Sequence, residues 1–127
     1  VHISRHNIIT GIIDSLARVL EEKNINLSST AIFLGPHIRK ENYKLSDQAL
    51  KEISTSCFNS YIDSEGRFDL SRAICLSLEQ RGFLEENIED CGIDTFTSPS
   101  FYSSRVDRKS GKNINVFATI ISKKYDM

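Results

Sequence analysis

Thr30-Ala31-Ile32-Phe33-Leu34-Gly35-Pro36 is the stretch that decides the fold class. A mostly apolar run with β-branched members that stops at a Gly-Pro step reads as a buried strand entering a tight turn. Helical patterns stand on both sides of it. Upstream, Ile8, Ile9, Ile12, Ile13, Leu16, Val19 and Leu20 recur at helical spacing, with Ser4 or Asn7 to cap the start and Asn24 to end it. Downstream, Ser46 precedes Ala49, Leu50, Ile53, Cys57 and Phe58, a second amphipathic helix capped by its serine. After a polar loop with Gly66, Asp69 caps a third helix whose inward face is Leu70, Ala73, Ile74, Ser77 and Leu78. Gly82 supplies the left-handed residue past its end, and Phe83 the apolar contact that follows. Val1-His2-Ile3 alternates like the end of a strand, and residues 88–93 read as a short strand. Residues 107–112 read as a charged surface turn around Gly111, and 115–122 as a last strand, apolar on both faces. The order β-α-β-α-α-β-β predicts an α+β or layered α/β domain, with helices packed on a mixed sheet.

The chain of 127 residues is one domain's length, and no linker or internal repeat divides residues 1–127. Sixteen Lys and Arg against seventeen Asp and Glu leave a net charge of −1, which argues against nucleic acid and against an anionic membrane surface as partners. The apolar run at 116–121 is far short of the ~20 residues of a membrane span. No secretory signal is visible, so a cytoplasmic location is expected. Three cysteines, Cys57, Cys75 and Cys91, form no C-x-x-C pair; free, mostly buried thiols are expected, with Cys57 on the apolar face of its helix. The chain opens on Val1 and its one Met is Met127, an opening that reads like the middle of a strand, so upstream sequence is expected to be either missing or never present.

Three features could carry chemistry. His2 and His6 stand four apart, but across a strand end and a helix start, where such a pair does not reliably share a metal. Gly35 and Pro36 make a rigid turn near a strand's carboxyl end, where α/β proteins place ligands, yet they lack the glycine spacing of a phosphate loop. Tyr102, Ser103 and Arg105 set an aromatic, a hydroxyl and a guanidinium together, a set suited to a ring plus an anion. Each also has an ordinary reading: a strand-end histidine, a structural turn, an arginine paired with Asp107.

Taken in order, these segments resemble the YfiH-type family, long labelled laccase-like or multicopper polyphenol oxidase. Gly35-Pro36-His37-Ile38-Arg39-Lys40-Glu41-Asn42-Tyr43-Lys44-Leu45 is similar to its G-P-x-I-G-x-x-x-Y/F-x-V stretch. Phe68-Asp69-Leu70, Leu78, Gly82-Phe83 and Asn87-Ile88 resemble D-L…L…G-V…N-I. Asp94-Thr95-Phe96-Thr97 and Phe101 to Asp107, with Ser110-Gly111-Lys112, resemble C-T-Y-T…F-F-S-Y-R-R-D…T-G-R, and Val1 to Asn7 lies where the family has V-H-A-G-W-R-G.

The resemblance implies the C-terminal half of an α/β/β/α domain. It implies phosphorolysis of adenosine, inosine, guanosine and methylthioadenosine, with adenosine deamination beside it and phenol oxidation as the older label. It also implies a metal, zinc with copper possible, held in the family by two residues of the N-terminal half and by a histidine that corresponds to His2. Arg105, with Ser103 and Tyr102, is then the expected contact for phosphate or ribose, and the partners are a purine nucleoside and phosphate.

Departures from the pattern bear on activity. Ser4-Arg5-His6-Asn7 replaces G-W-R-G, Arg39 stands at a family glycine, Asp94 at a cysteine and Val106 at an arginine. One imidazole binds zinc weakly, since zinc sites use three or four protein ligands. The expectation is an enzyme portion inactive as this chain alone; the alternative is a non-catalytic binding protein on the same scaffold with an eroded metal site. Uncovered strand edges would favour association with a second copy or with the missing half.

Overall fold

The computed structural model describes residues 1–101, Ser103 and Val106. Ser4 opens the first helix, α1 (Arg5–Ile9), through a reciprocal cap: its Oγ accepts from the Asn7 N–H, and Asn7 Oδ1 accepts from the Ser4 N–H at 2.7 Å. The single long helix expected here is in fact two. Thr10 closes α1, and Gly11 takes a left-handed φ of +94° before α2 (Ile12–Glu22) begins. Any side chain at Gly11 would be strained in that conformation, so the glycine sets the break. Ile8 and Ile13 on either side of it are both buried, so the apolar spacing survives the interruption.

Asn24 ends α2 as expected, with φ +57°. The Asn24 and Ile25 N–H groups return to the Glu21 and Leu20 carbonyls, which satisfies the helix's last acceptors.

The expected strand is shorter and less buried than its composition suggests. β1 covers Ile32–Leu34; Leu34 is buried but Phe33 is 43% exposed. It pairs in parallel with β2 (Ile88–Asp90), with Ile32 opposite Ile88 and Leu34 opposite Asp90. Gly35-Pro36 does not reverse the chain. The strands part there and meet again: the His37 N–H donates to Ile93 O at 3.2 Å, and the Thr95 N–H donates to His37 O at 3.1 Å. The segment 1–3 is not a strand and has no ladder partner among the described residues. The turn at 107–112 and the strand at 115–122 lie outside the described residues.

Between the two strands run α3 (Asp47–Ser54), whose N-cap Ser46 Oγ accepts from the Ala49 N–H, and α4 (Leu70–Gln80), whose N-cap Asp69 accepts from the Arg72 N–H. α3 stops at Thr55, before the predicted Cys57, and that thiol is exposed rather than on an apolar face. Cys75 and Cys91 are only half-buried, and all three thiols are free. α4 ends as its sequence promised: Gly82 at φ +103° lets the Phe83 N–H reach Leu78 O and the Gly82 N–H reach Glu79 O. Phe83 then turns into the core.

Phe68, Phe83, Ile53 and Leu78 are the largest fully buried side chains. Each contributes on the order of 1.5–3 kcal/mol by leaving water. Tyr43 leans on Phe68 with ring centroids 6.0 Å apart, which joins the loop after β1 to the α3–α4 core. The loop between α3 and α4 is closed by Asp63, whose carboxylate accepts from the backbone N–H of Glu65 and of Arg67 and from Arg67 Nε. Those donors hold its acid down to about 2. The architecture is thus α+β, helices packed around a small parallel strand pair. Among the described residues, no helix is long and apolar enough to cross a membrane.

Candidate functional site

His2 sits on the exposed lead into α1, where its carbonyl accepts from Asn7 Nδ2 at 2.9 Å. Its imidazole makes no hydrogen bond with another described residue. His6 does not join it: His6 Nδ1 lies 2.9 Å from Glu52 Oε1 on α3, and Arg5 Nη2 reaches the other oxygen of the same carboxylate at 3.6 Å. The hydrogen bond from His6, aided by the charge of Arg5, keeps Glu52 below the usual carboxylate range. A metal needs three or four donors. No group of three His, Cys, Asp or Glu that could hold one exists among the described residues, so His2 has no described co-ligand.

Beside α1, a cleft of about 540 Å³ is walled by Arg5, Tyr43, Lys44, Leu45, Ser46 and Ala49. It combines two cationic residues with a phenol ring and a hydroxyl, the pairing that sequence reasoning had sought at 102–105. Of that predicted set, Ser103 is buried, whereas Tyr102 and Arg105 lie outside the described residues. Gly35 and Pro36 have the structural role of the kink in the strand pair.

The densest polar cluster is one that sequence reasoning did not assemble, at the carboxyl ends of β1 and β2. Arg39 clasps Asp90 with both nitrogens, Nη1 to Oδ2 at 2.6 Å and Nη2 to Oδ1 at 2.5 Å. Its Nη1 also donates to Ser71 Oγ at 3.0 Å, and its Nε to Ile93 O at 3.4 Å. The two-pronged bond raises the guanidinium and lowers the Asp90 carboxyl, against the desolvation that opposes both.

His37 completes the cluster. Its Nδ1 is 2.8 Å from Gly35 O, and its Nε2 is 2.5 Å from Ser71 Oγ. A carbonyl can only accept, so Nδ1 carries the proton and, in the neutral ring, Nε2 accepts from the serine hydroxyl. Nearby, Asn42 Nδ2 donates to Asp94 Oδ2 at 2.7 Å, and Asp94 Oδ1 accepts from the Phe96 N–H. Arg39 and Asp94, the two departures from the family's glycine and cysteine, therefore both have partners inside the molecule. The side-chain partners Asp90 and Asn42 are about fifty residues away in sequence, so no local pattern could have found them.

A family model described as multi-copper polyphenol oxidoreductase laccase matches residues 1–120. A purine nucleoside phosphorylase of Campylobacter jejuni is 26% identical over 113 residues, which cover 89% of this chain and 47% of that protein. The chain thus spans about half the length of that relative. No solved structure matches.

Proposed function

The chain belongs to the multi-copper polyphenol oxidoreductase laccase family, and on that premise we propose that it contributes the C-terminal half of a purine nucleoside phosphorylase site. The observation that carries the reading is the match to the Campylobacter jejuni phosphorylase along nearly all of this chain but about half of that enzyme. In this reading the cleft beside α1 receives the nucleoside and phosphate. Arg5 and Lys44, with Ser46, suit a phosphate by charge and hydrogen bonding, and the Tyr43 ring suits the face of a purine. Arg105, Ser103 and Tyr102 are offered as further substrate contacts.

Phosphorolysis joins phosphate to the sugar C1′ while the base departs, through a sugar that carries positive charge. The task of this chain's residues is to hold the anion against that carbon and to exclude competing water. Adenosine, inosine, guanosine and methylthioadenosine are the substrates proposed, with adenosine deamination beside phosphorolysis. In this reading His2 would be one ligand of a family metal, zinc or copper. The described residues do not by themselves fit such an ion. Its other ligands have to come from outside them, and no step here is routed through it.

A second reading, a non-catalytic binding protein, is favoured by one specific observation: Arg39 and Asp94 fill family glycine and cysteine positions and are engaged internally. The test is phosphate-dependent release of hypoxanthine from inosine. It is run with this chain alone and with this chain plus the half of the Campylobacter jejuni enzyme that it does not match, each with zinc. Turnover in the mixture that His2→Ala and Arg105→Ala abolish is the expected result. A mixture that stays inert, with no bound zinc, overturns the phosphorylase reading in favour of the second.

A further inference from the structure

Ser71, His37 and Arg39 take no part in the reading built on His2 and the cleft beside α1. Their arrangement nevertheless meets the requirements for an activated hydroxyl. A serine is a weak nucleophile unless a base stands within hydrogen-bond reach and a third group holds that base in the right tautomer. Here the base is 2.5 Å from the hydroxyl, and the third group is the Gly35 carbonyl, 2.8 Å from the far ring nitrogen. Arg39 Nη1, 3.0 Å from the same oxygen, stabilises negative charge as it develops there. Asp90 fixes Arg39 from the other side. The guanidinium is thereby held in place beside the hydroxyl.

Location supports the same conclusion. The cluster lies just past the carboxyl ends of two parallel strands, the place where open α/β sheets receive ligands. His37 and Ser71 are each only half-buried, so solvent and a small reagent reach them.

We propose that Ser71 is a nucleophile with His37 as its base, and that it takes acyl groups from small activated carboxylic esters. The Ser71 Oγ–carbon bond forms as the hydroxyl proton passes to His37 Nε2. The ester C–O bond then breaks, and the departing alcohol leaves with that proton. Water reverses the sequence: it attacks the acyl-serine, gives a proton to His37, and the acid is released as Ser71 regains its own. In these steps Ser71 and His37 are the catalytic residues, while Arg39 positions Ser71 and holds charge beside it.

The experiment uses the whole chain, diisopropyl fluorophosphate and p-nitrophenyl acetate. The fluorophosphate should leave one diisopropylphosphoryl group on Ser71, mapped by peptide mass spectrometry, as its P–F bond breaks and fluoride departs. Ser71→Ala should carry no adduct. His37→Gln should label at least ~100-fold more slowly and lose the pH dependence of labelling, the size expected for removal of a general base. The nitrophenyl ester should give a burst of phenolate equal to the protein present.

An unlabelled Ser71 in the wild-type chain overturns the proposal without any variant, so a variant that fails to fold does not spoil the test. Labelling of another serine overturns it, as does a folded His37→Gln that labels at the wild-type rate. Each outcome is independent of whether inosine is cleaved.

Discussion

Two places in the molecule set an arginine and a histidine around a carboxylate, and they are built to different standards. At the strand ends, Arg39 grips Asp90 through two short bonds, its side chain only 16% exposed, and His37 is held at both ring nitrogens. On the outer side of α1, Glu52 takes one bond from a His6 that is 72% exposed and a longer contact from Arg5. The residue types are nearly the same. The carboxylates are about equally open, 30% for Asp90 and 33% for Glu52, so the difference lies in the two-pronged geometry and the better-shielded guanidinium, 16% against 28%. A single long contact gains little over separate hydration; where the geometry is two-pronged and the guanidinium is shielded, the loss of either member leaves the other short of partners. The first cluster therefore pins α4 to both strands, and the second merely decorates the meeting of α1 and α3.

The largest expected break in that contrast is Arg39→Ala. It leaves Asp90 without its guanidinium and removes a donor from Ser71. A cost of about 1–2 kcal/mol is expected, between the ranges for exposed and buried pairs, because water reaches Asp90. Urea unfolding followed by circular dichroism measures it. Arg5→Ala should leave the unfolding midpoint within error. Equal losses in the two variants would erase the distinction drawn between the clusters.

A double-mutant cycle isolates the pair itself. Arg39→Ala combined with Asp90→Asn should cost about 1 kcal/mol less than the sum of the single changes. The corresponding cycle for Arg5 and Glu52 should be additive. Additivity at the strand ends would mean that Arg39 acts through Ser71 and Ile93 rather than through Asp90.

Acid separates the clusters in another way. The folded state lowers the pKa of the Asp90, Glu52 and Asp63 carboxyls, the last to about 2. A carboxyl lowered on folding stabilises the native state above its unfolded value, near ~4, and loses that contribution as pH falls through the folded value. The urea midpoint should therefore drop as pH falls from about 4 toward 2. Asp90→Asn should start lower and fall less steeply. Glu52→Gln should change the slope only at low ionic strength, because molar salt screens an exposed pair first. A wild-type midpoint that is flat through this range would contradict the roles given to all three carboxyls.

How much of this was legible beforehand follows from the distances involved in sequence. The caps at Ser4, Ser46 and Asp69 and the endings at Asn24 and Gly82 are bonds between residues a few positions apart, so the chain spells them out locally. The break at Gly11 was hidden because the apolar stripe continues across it and a lone glycine is tolerated within helices. Phe33 reads as interior by composition, yet a three-residue strand with one neighbour among the described residues leaves a face uncovered, which composition does not show. Cys57 fell on the extended helical pattern, but the helix had already ended at Thr55. The Arg39–Asp90–Ser71–His37 cluster joins segments 32 to 51 residues apart; only the crossover between parallel strands brings them together. Of the predicted site residues, His2 is legible as an accessible imidazole, while Tyr102 and Arg105 fall outside the described residues.

The smallest effect sharpens the contrast most finely, because it reads the strand-end charge through a reporter. Cys75 lies on α4, half-buried, and its thiol is pushed up chiefly by burial and next by the negative charge of Asp90. The thiolate is the reactive form, so Cys75 should react with Ellman's reagent roughly 10-fold more slowly than exposed Cys57. Asp90→Asn removes one source of the upward push and should speed Cys75 by about twofold, with Cys57 unchanged. The same substitution also loosens Arg39, so Arg39→Ala is the needed control. It too opens the cluster but leaves the carboxylate unneutralised, and it should slow Cys75 or leave its rate as it was. If both variants speed the thiol alike, access rather than charge governs it, and the field of Asp90 does not extend to α4.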